Sequence, residues 1–129
     1  MTIGFIGLGN MASAMIGGML QKGIAKPGEI VGSAKTQKTI ERAQKEYDIR
    51  VTLDNKEVAK QAEILFLAIK PLFFKEVIPQ IKDAVKPGTI VVSIAAGKTL
   101  GALKEAFGRE DIKLIRCMPN TPALVLGIQ

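Results

Sequence analysis

The sequence predicts an α/β fold: a parallel, doubly wound sheet of about six strands with helices on both faces. Three observations carry this reading. Short β-type runs alternate with helical ones along the chain. One of them, Ile64 to Ile69 (ILFLAI), is continuously apolar, as expected of a strand buried on both faces. Gly and Pro stand at the joints, at Gly23, Pro27-Gly28, Lys70-Pro71 and Pro87-Gly88.

The elements follow in order. Ile3 to Ile6 reads as the first strand. Met11 to Lys22 is a helix with Met11, Met15, Met19 and Leu20 on one side, and Gly23 is placed to end it. Glu29 to Ser33 is a second strand. Ile40, Ala43 and Tyr47 recur at helical spacing within Gln37 to Tyr47. Arg50 to Thr52 is a short third strand, followed by a helix over Asn55 to Gln61. After the fourth strand, Phe74, Val77, Ile78, Ile81 and Val85 mark a helix that Pro79 is expected to kink or split. Thr89 to Ile94 is the fifth strand, Leu100 to Phe107 a helix, and Lys113 to Met118 the sixth strand. Residues 119–129 have no regular period. No repeat or linker interrupts the pattern, so residues 1–129 are expected to form a single dinucleotide-binding domain.

Composition narrows the function. At 129 residues, with 47% apolar and 23% charged, the chain has the make-up of one globular domain with a proper core. The 18 Lys and Arg against 12 Asp and Glu give a net charge of +6, which suits an anionic ligand. Solvated surface lysines account for such an excess equally well, and no nucleic-acid partner is expected. The absence of histidine removes Ser-His and Cys-His nucleophile pairs, His-ligated metals and a histidine general acid. No metal site is expected. A single cysteine, Cys117, allows no internal disulfide, so the expected compartment is the reducing cytoplasm; Cys117 itself lies in an apolar stretch and reads as core.

The opening MTIGFIGLGNMASAMIGGML carries no charge before Lys22. Nothing basic precedes its apolar run, as a secretion signal would need. Gly4, Gly7, Gly9 and Asn10 interrupt it too early for a membrane span. Its meaning lies in Gly7-Leu8-Gly9-Asn10-Met11-Ala12, a match to G-x-G-x-x-G/A between a predicted strand and a predicted helix. Gly7 permits the tight turn, Gly9 lacks a side chain that would hold a pyrophosphate off, and Ala12 lets the helix lie close to the strand. The amides near Asn10, Met11 and Ala12 are helix-start donors with the positive end of the dipole behind them. This is the Rossmann-type arrangement, and it points to a dinucleotide.

The end of the second strand addresses which one. An acid there normally accepts bonds from the adenosine ribose. Here the run Val31-Gly32-Ser33-Ala34-Lys35-Thr36 holds neither Asp nor Glu. Hydroxyls and a lysine hold a 2′-phosphate by charge-assisted bonds, which favours NADP over NAD. Ser33 to Thr36 also serves as a helix N-cap region, and the two readings coexist.

Taken together, GFIGLGNMASAMIGG, DNKEV, LAIKP, VVSIAAGK and RCMPNTPALV resemble Δ1-pyrroline-5-carboxylate reductase, from residue 3 to about residue 125. GFIGLGNM is shared with β-hydroxyacid dehydrogenases; SIAAG and MPNTPA are specific. The resemblance implies that Ile6, Gly7, Leu8, Gly9, Asn10 and Met11 line the pyrophosphate. Ser33, Lys35 and Thr36 would surround the adenosine 2′ position, and Asn55 in DNKEV would reach the adenosine side. Ala68, Ile69, Lys70 and Pro71 would border the nicotinamide half, as would Ala95, Ala96 and Gly97. Met118, Pro119, Asn120 and Thr121 would close that end. Each stretch sits at the carboxyl end of a predicted strand, where an open parallel sheet binds its ligand. The structural readings stay beside these: Lys70-Pro71 as a strand stop, Pro119 and Pro122 as loop stiffeners, and Asn55 as a helix N-cap.

The implied activity is NADPH-dependent reduction of pyrroline-5-carboxylate to proline, by hydride transfer to the C=N carbon. The substrate is a small molecule, and no membrane partner is expected. A protonated cyclic imine is already a strong electrophile, so a histidine-free chain suffices, whereas a ketone calls for a positioned acid. Relatives continue after PNTPALV with a helical domain that forms a homo-oligomer and supplies much of the substrate pocket. This sequence ends at Gln129 without that domain, and no catalytic residue is assigned from it. Two further readings are a stand-alone NADP-binding regulatory module and a reductase of the β-hydroxyacid type.

Overall fold

The structure, a computed structural model, describes residues 1–94 and 99–117. Six strands, β1 (Ile3–Ile6), β2 (Ile30–Ser33), β3 (Arg50–Thr52), β4 (Ile64–Leu67), β5 (Ile90–Ser93) and β6 (Lys113–Arg116), form one sheet in the order β3-β2-β1-β4-β5-β6. Every neighbouring pair is parallel. The α/β reading and the doubly wound topology are thereby borne out. Between the strands lie α1 (Asn10–Gln21), α2 (Gln37–Tyr47), α3 (Asn55–Gln61), α4 (Phe74–Ile81) and α5 (Leu100–Phe107).

The helices divide between the two faces because the strands alternate their side chains. Ile3 and Phe5 of β1 join Ala12 and Ile16 of α1 and Ile40 and Ala43 of α2 in one cluster. Ile6, Leu65 and Leu67 join Val58 of α3, Val77 and Ile81 of α4 and Leu103 of α5 in the other. Phe5 and Phe66 stack across β1 and β4 with ring centroids 4.8 Å apart. Gly4 is the close-approach point on the second face, where a Cβ would crowd Val58 and Ala62. Its missing side chain lets α3 lie directly on the central strand.

Several boundaries differ from expectation for local reasons. The buried stripe of α1 is Ala12, Ser13 and Ile16 rather than the methionines. Met15, Met19 and Leu20 pack at its margin, and Met11 is 36% exposed. The helix ends as expected: Gly23, at φ +72°, closes it while the Ile24 amide donates to the Met19 carbonyl and the Gly23 amide to that of Leu20. Pro27–Glu29 is a 3₁₀ turn, so β2 starts one residue later than expected. The helix α4 runs through Pro79 without splitting. Proline removes only its own amide donor, and the Lys82 amide still donates to Ile78, while buried Val77, Ile78 and Ile81 hold the helix against the core. Cys117, read as core, is half-buried just past β6.

Parallel register levels the carboxyl ends of the strands. Thr52, Ser33, Ile6, Leu67, Ser93 and Arg116, the last residues of the six strands, lie side by side across the sheet. The loops beyond them share one edge.

Candidate functional site

The centre of that edge is the end of β1, where the chain order reverses between β2 and β4. The Gly7 amide donates to the Ser33 carbonyl at 2.9 Å, and the Ala68 amide donates to the Ile6 carbonyl at 2.8 Å. Gly7 has φ +101°, and a Cβ on it would press into the Ala68 carbonyl. Glycine is therefore required here by both conformation and proximity.

Gly9 is different. Its φ of −78° suits any residue, and a Cβ built on it would meet no heavy atom of the described residues within 4 Å. Among the described residues no packing asks for glycine here; close approach of a ligand to the backbone would. The helix α1 starts here without a side-chain cap and without an acid in its first turn. The amides of Asn10, Met11 and Ala12 precede the first intrahelical bond, made by the Ser13 amide to the Gly9 carbonyl at 2.9 Å. Ala12 is buried against the sheet, as its small size anticipated. Leu8 is buried too, its side chain lying where a Cβ on Gly32 would be. Only the backbone of Leu8 is left to face a ligand, and Arg42 of α2 fixes it by donating from Nη2 to the Leu8 carbonyl at 2.9 Å.

Beside this turn lies a cavity of about 270 Å³ lined by Ile6, Gly7, Ser33, Lys35, Leu53, Asn55, Ile69, Glu76 and Gln80, among others. Ser33 is wholly buried and donates from Oγ to Asn55 Oδ1 at 2.7 Å. Asn55 Nδ2 in turn donates to Gln80 Oε1 at 2.9 Å. Asn55 is the first residue of α3 but not its cap; Asp54 takes that role, accepting from the Lys56 amide at 3.0 Å. The Asn55 side chain is thus free to face the end of β2. Thr36 caps α2, accepting from the Thr39 amide at 3.3 Å, and also shares a hydrogen bond with the Thr39 hydroxyl. Lys35 Nζ sits 3.5 Å from the centroid of the Phe73 ring and 3.9 Å from Glu76 Oε2.

On the other side of the turn, Ala68 and Ile69 are half-buried past β4, and Ile69 lines the same cavity. Lys70 is exposed and leads into the 3₁₀ turn Pro71–Phe73. Ser93 ends β5 buried, with an Oγ that has no hydrogen-bond partner among the described residues. Ala95, Ala96, Gly97, Met118, Pro119, Asn120 and Thr121 lie outside the described residues.

The structure thus brings together Gly7, Ser33, Lys35, Asn55 and Ile69 around one cavity, with the Gly9 turn and the start of α1 next to it. These residues fit a dinucleotide: a bare glycine, uncapped amides, and a cavity of mixed lining that holds the Lys35 cation beside the Glu76 carboxylate. Sequence reasoning missed Arg42, Glu76 and Gln80. Glu76 and Gln80 lie four apart on α4, opposite its buried side, and that spacing was the available signal. A larger hollow of about 440 Å³, between α5 and β6, is lined by Leu100, Lys104, Arg109 and Leu114 among others and includes none of the turn residues.

The sequence pattern of the family described as NADP oxidoreductase, coenzyme F420-dependent, matches residues 2–97. The chain belongs to this family. The chain is 42% identical over 123 residues to the pyrroline-5-carboxylate reductase of Escherichia coli K12, a match covering 95% of this chain and 45% of that protein. The solved structure of a pyrroline-5-carboxylate reductase from Coxiella burnetii superposes with a TM-score of 0.88 at 30% identity, over 96% of this chain and 46% of that one. The Plasmodium falciparum pyrroline carboxylate reductase, solved with NADP bound, superposes with a TM-score of 0.78 at 31% identity, over 96% of this chain and 44% of that one. The resemblance carried by the motifs is borne out. The chain spans about half the length of the relatives it matches.

Proposed function

We propose that the chain is the NADPH-binding part of a pyrroline-5-carboxylate reductase. The observation that carries this reading is the Gly9 turn, open to a ligand at the reversal of the sheet, with the Ser33–Asn55–Gln80 chain and Lys35 beside it. The likeness to such reductases over 95% of the chain supports the substrate.

The residues of the turn would hold NADPH, and the chemistry available there would be a hydride for the imine carbon, with the proton on the ring nitrogen giving the secondary amine. The chain's own residues bind and orient. The backbone from Ile6 to Met11 holds the pyrophosphate through the amides at the start of α1, aided by the helix dipole. Ser33, Lys35 and Thr36 surround the 2′-phosphate, and the Lys35 cation is the donor that favours NADPH over NADH. Gln80 accepts from Asn55 and so fixes which way the amide faces. Ala68, Ile69, Lys70 and Pro71 border the nicotinamide, as do Ala95, Ala96, Gly97, Pro119 and Asn120. A cyclic imine takes its proton from solvent or a hydroxyl, so the absence of histidine is no obstacle. The grip on the substrate carboxylate and the homo-oligomer contact are assigned, as the resemblance implies, to the part of such a reductase beyond the matched residues. The working compartment is the cytoplasm.

The test is a chimera in which this chain replaces the matching part of the Escherichia coli relative. It is expected to oxidise NADPH on addition of pyrroline-5-carboxylate, with proline as the product, whereas this chain alone is expected to be weak or inactive. A folded, NADPH-binding chimera that leaves pyrroline-5-carboxylate untouched would refute the substrate assignment.

A further inference from the structure

The end of β2 holds no acid, but the fold brings one to it. Glu76 stands in the first turn of α4, and its carboxylate lies 3.9 Å from Lys35 Nζ. A glutamate in a first turn is favoured by the helix dipole wherever it points, so its position alone carries nothing. Three observations give it a direction. Glu76 and Lys35 line the same cavity as Ser33 and Asn55. Gln80, one turn further along α4, faces that cavity as well, where it accepts from Asn55 at 2.9 Å. Phe74 and Ile78, on the opposite side of the helix, are buried in the core and fix its rotation.

We propose that Glu76 is a specificity determinant for the cofactor, a negative charge on the cavity wall that limits how strongly the site prefers a 2′-phosphate. The inference rests on the reading that Ser33, Lys35 and Thr36 receive the adenosine 2′ position. Lys35 is the cation of that group, and it lies over the Phe73 ring, with Glu76 as its ion-pair partner. The pair is exposed, at 58% for Lys35 and 61% for Glu76, so it is weak, and a phosphate can draw Lys35 away. The backbone of α4, held by its buried side, keeps the Glu76 carboxylate within reach of the same cavity. The carboxylate then faces a phosphate of like charge, whereas a free ribose hydroxyl meets it as a hydrogen-bond acceptor. NADP therefore loses part of what Lys35 supplies, and NAD does not.

The experiment is isothermal titration calorimetry of NADP⁺ and NAD⁺ against the wild-type chain, E76Q and K35Q, with melting temperatures as the check on folding. E76Q is expected to tighten NADP⁺ about three- to tenfold and to leave NAD⁺ unchanged or weaker, as removal of one nearby like charge at a partly exposed site would do. K35Q is expected to lower the ratio of NADP⁺ to NAD⁺ affinity. An E76Q chain with the wild-type ratio, alongside a K35Q chain with a lowered one, overturns the role of Glu76 and leaves the 2′-phosphate reading standing. A ratio that neither substitution moves overturns the 2′-phosphate reading itself, and the role of Glu76 with it.

Discussion

Two glycines two positions apart do different work. Gly7 is demanded by the protein, through its φ of +101° and the Ala68 carbonyl beside it. Gly9 is demanded by no packing among the described residues. Substitution separates the two. Gly7→Ala should destabilise the fold by at least about 1–2 kcal/mol, from a left-handed conformation that alanine resists plus the clash with Ala68. Gly9→Val should leave the melting temperature close to wild type while weakening NADPH at least about tenfold, because its branched side chain stands where the pyrophosphate approaches. Paired thermal melts and NADPH titrations check both; a Gly9→Val chain that binds like wild type would show that the turn is only structural. The turn at Gly7 and the close packing of Ala12 were legible in the sequence because a turn between strand and helix leaves few residue choices. Arg42, holding the Leu8 carbonyl from another helix, was not legible, since nothing local marks a charged residue on α2 as reaching back to the turn.

The elements were read nearly to their ends: α2, β3, α3 and α5 fall on the expected residues. They carry strong local signals, such as Thr36, Asp54 and Thr99 as capping side chains and a left-handed residue after α2 and α5. The expected strands overrun β4 by Ala68 and Ile69, β5 by Ile94 and β6 by Cys117, because apolar composition continues past the last ladder bond, and β5 begins one residue after Thr89. What the sequence could not show was how elements distant in the chain are clasped. Arg109, just past α5, donates to the carbonyls of Lys82 and Val85 after α4, and to both oxygens of Asp111. The Arg109 guanidinium hydrogen-bonded to it holds the Asp111 carboxyl below its ordinary range. A carboxyl whose pKa is lower in the folded chain than in the unfolded one binds fewer protons when folded, so its contribution is present above the ordinary carboxylate range and is lost as pH falls through the lowered value. Asp111→Asn should therefore be less stable than wild type near neutral pH, and the gap in urea midpoints should narrow as the pH is taken down through the acid range. A gap of constant size across that range would show that Asp111 contributes no charge-dependent support to Arg109.

For the whole molecule, the sheet order and the aligned strand ends turn separate motifs into one site. The sequence placed each candidate stretch after a strand; only the register shows that Ser33, Ile6 and Leu67 end level, so that Gly7, Lys35, Asn55 and Ile69 surround one cavity. The α4 wall of that cavity was illegible, because it depends on how a helix after β4 rotates against the core, and this is where Glu76 and Gln80 enter. The central claim is that this edge receives NADP through the glycine turn and the end of β2. Fluorescence titration of the chain with NADPH and with NADH tests it most directly: saturable binding with a lower Kd for NADPH is the expected result, and no binding, or NADH bound as tightly or more tightly, would contradict it.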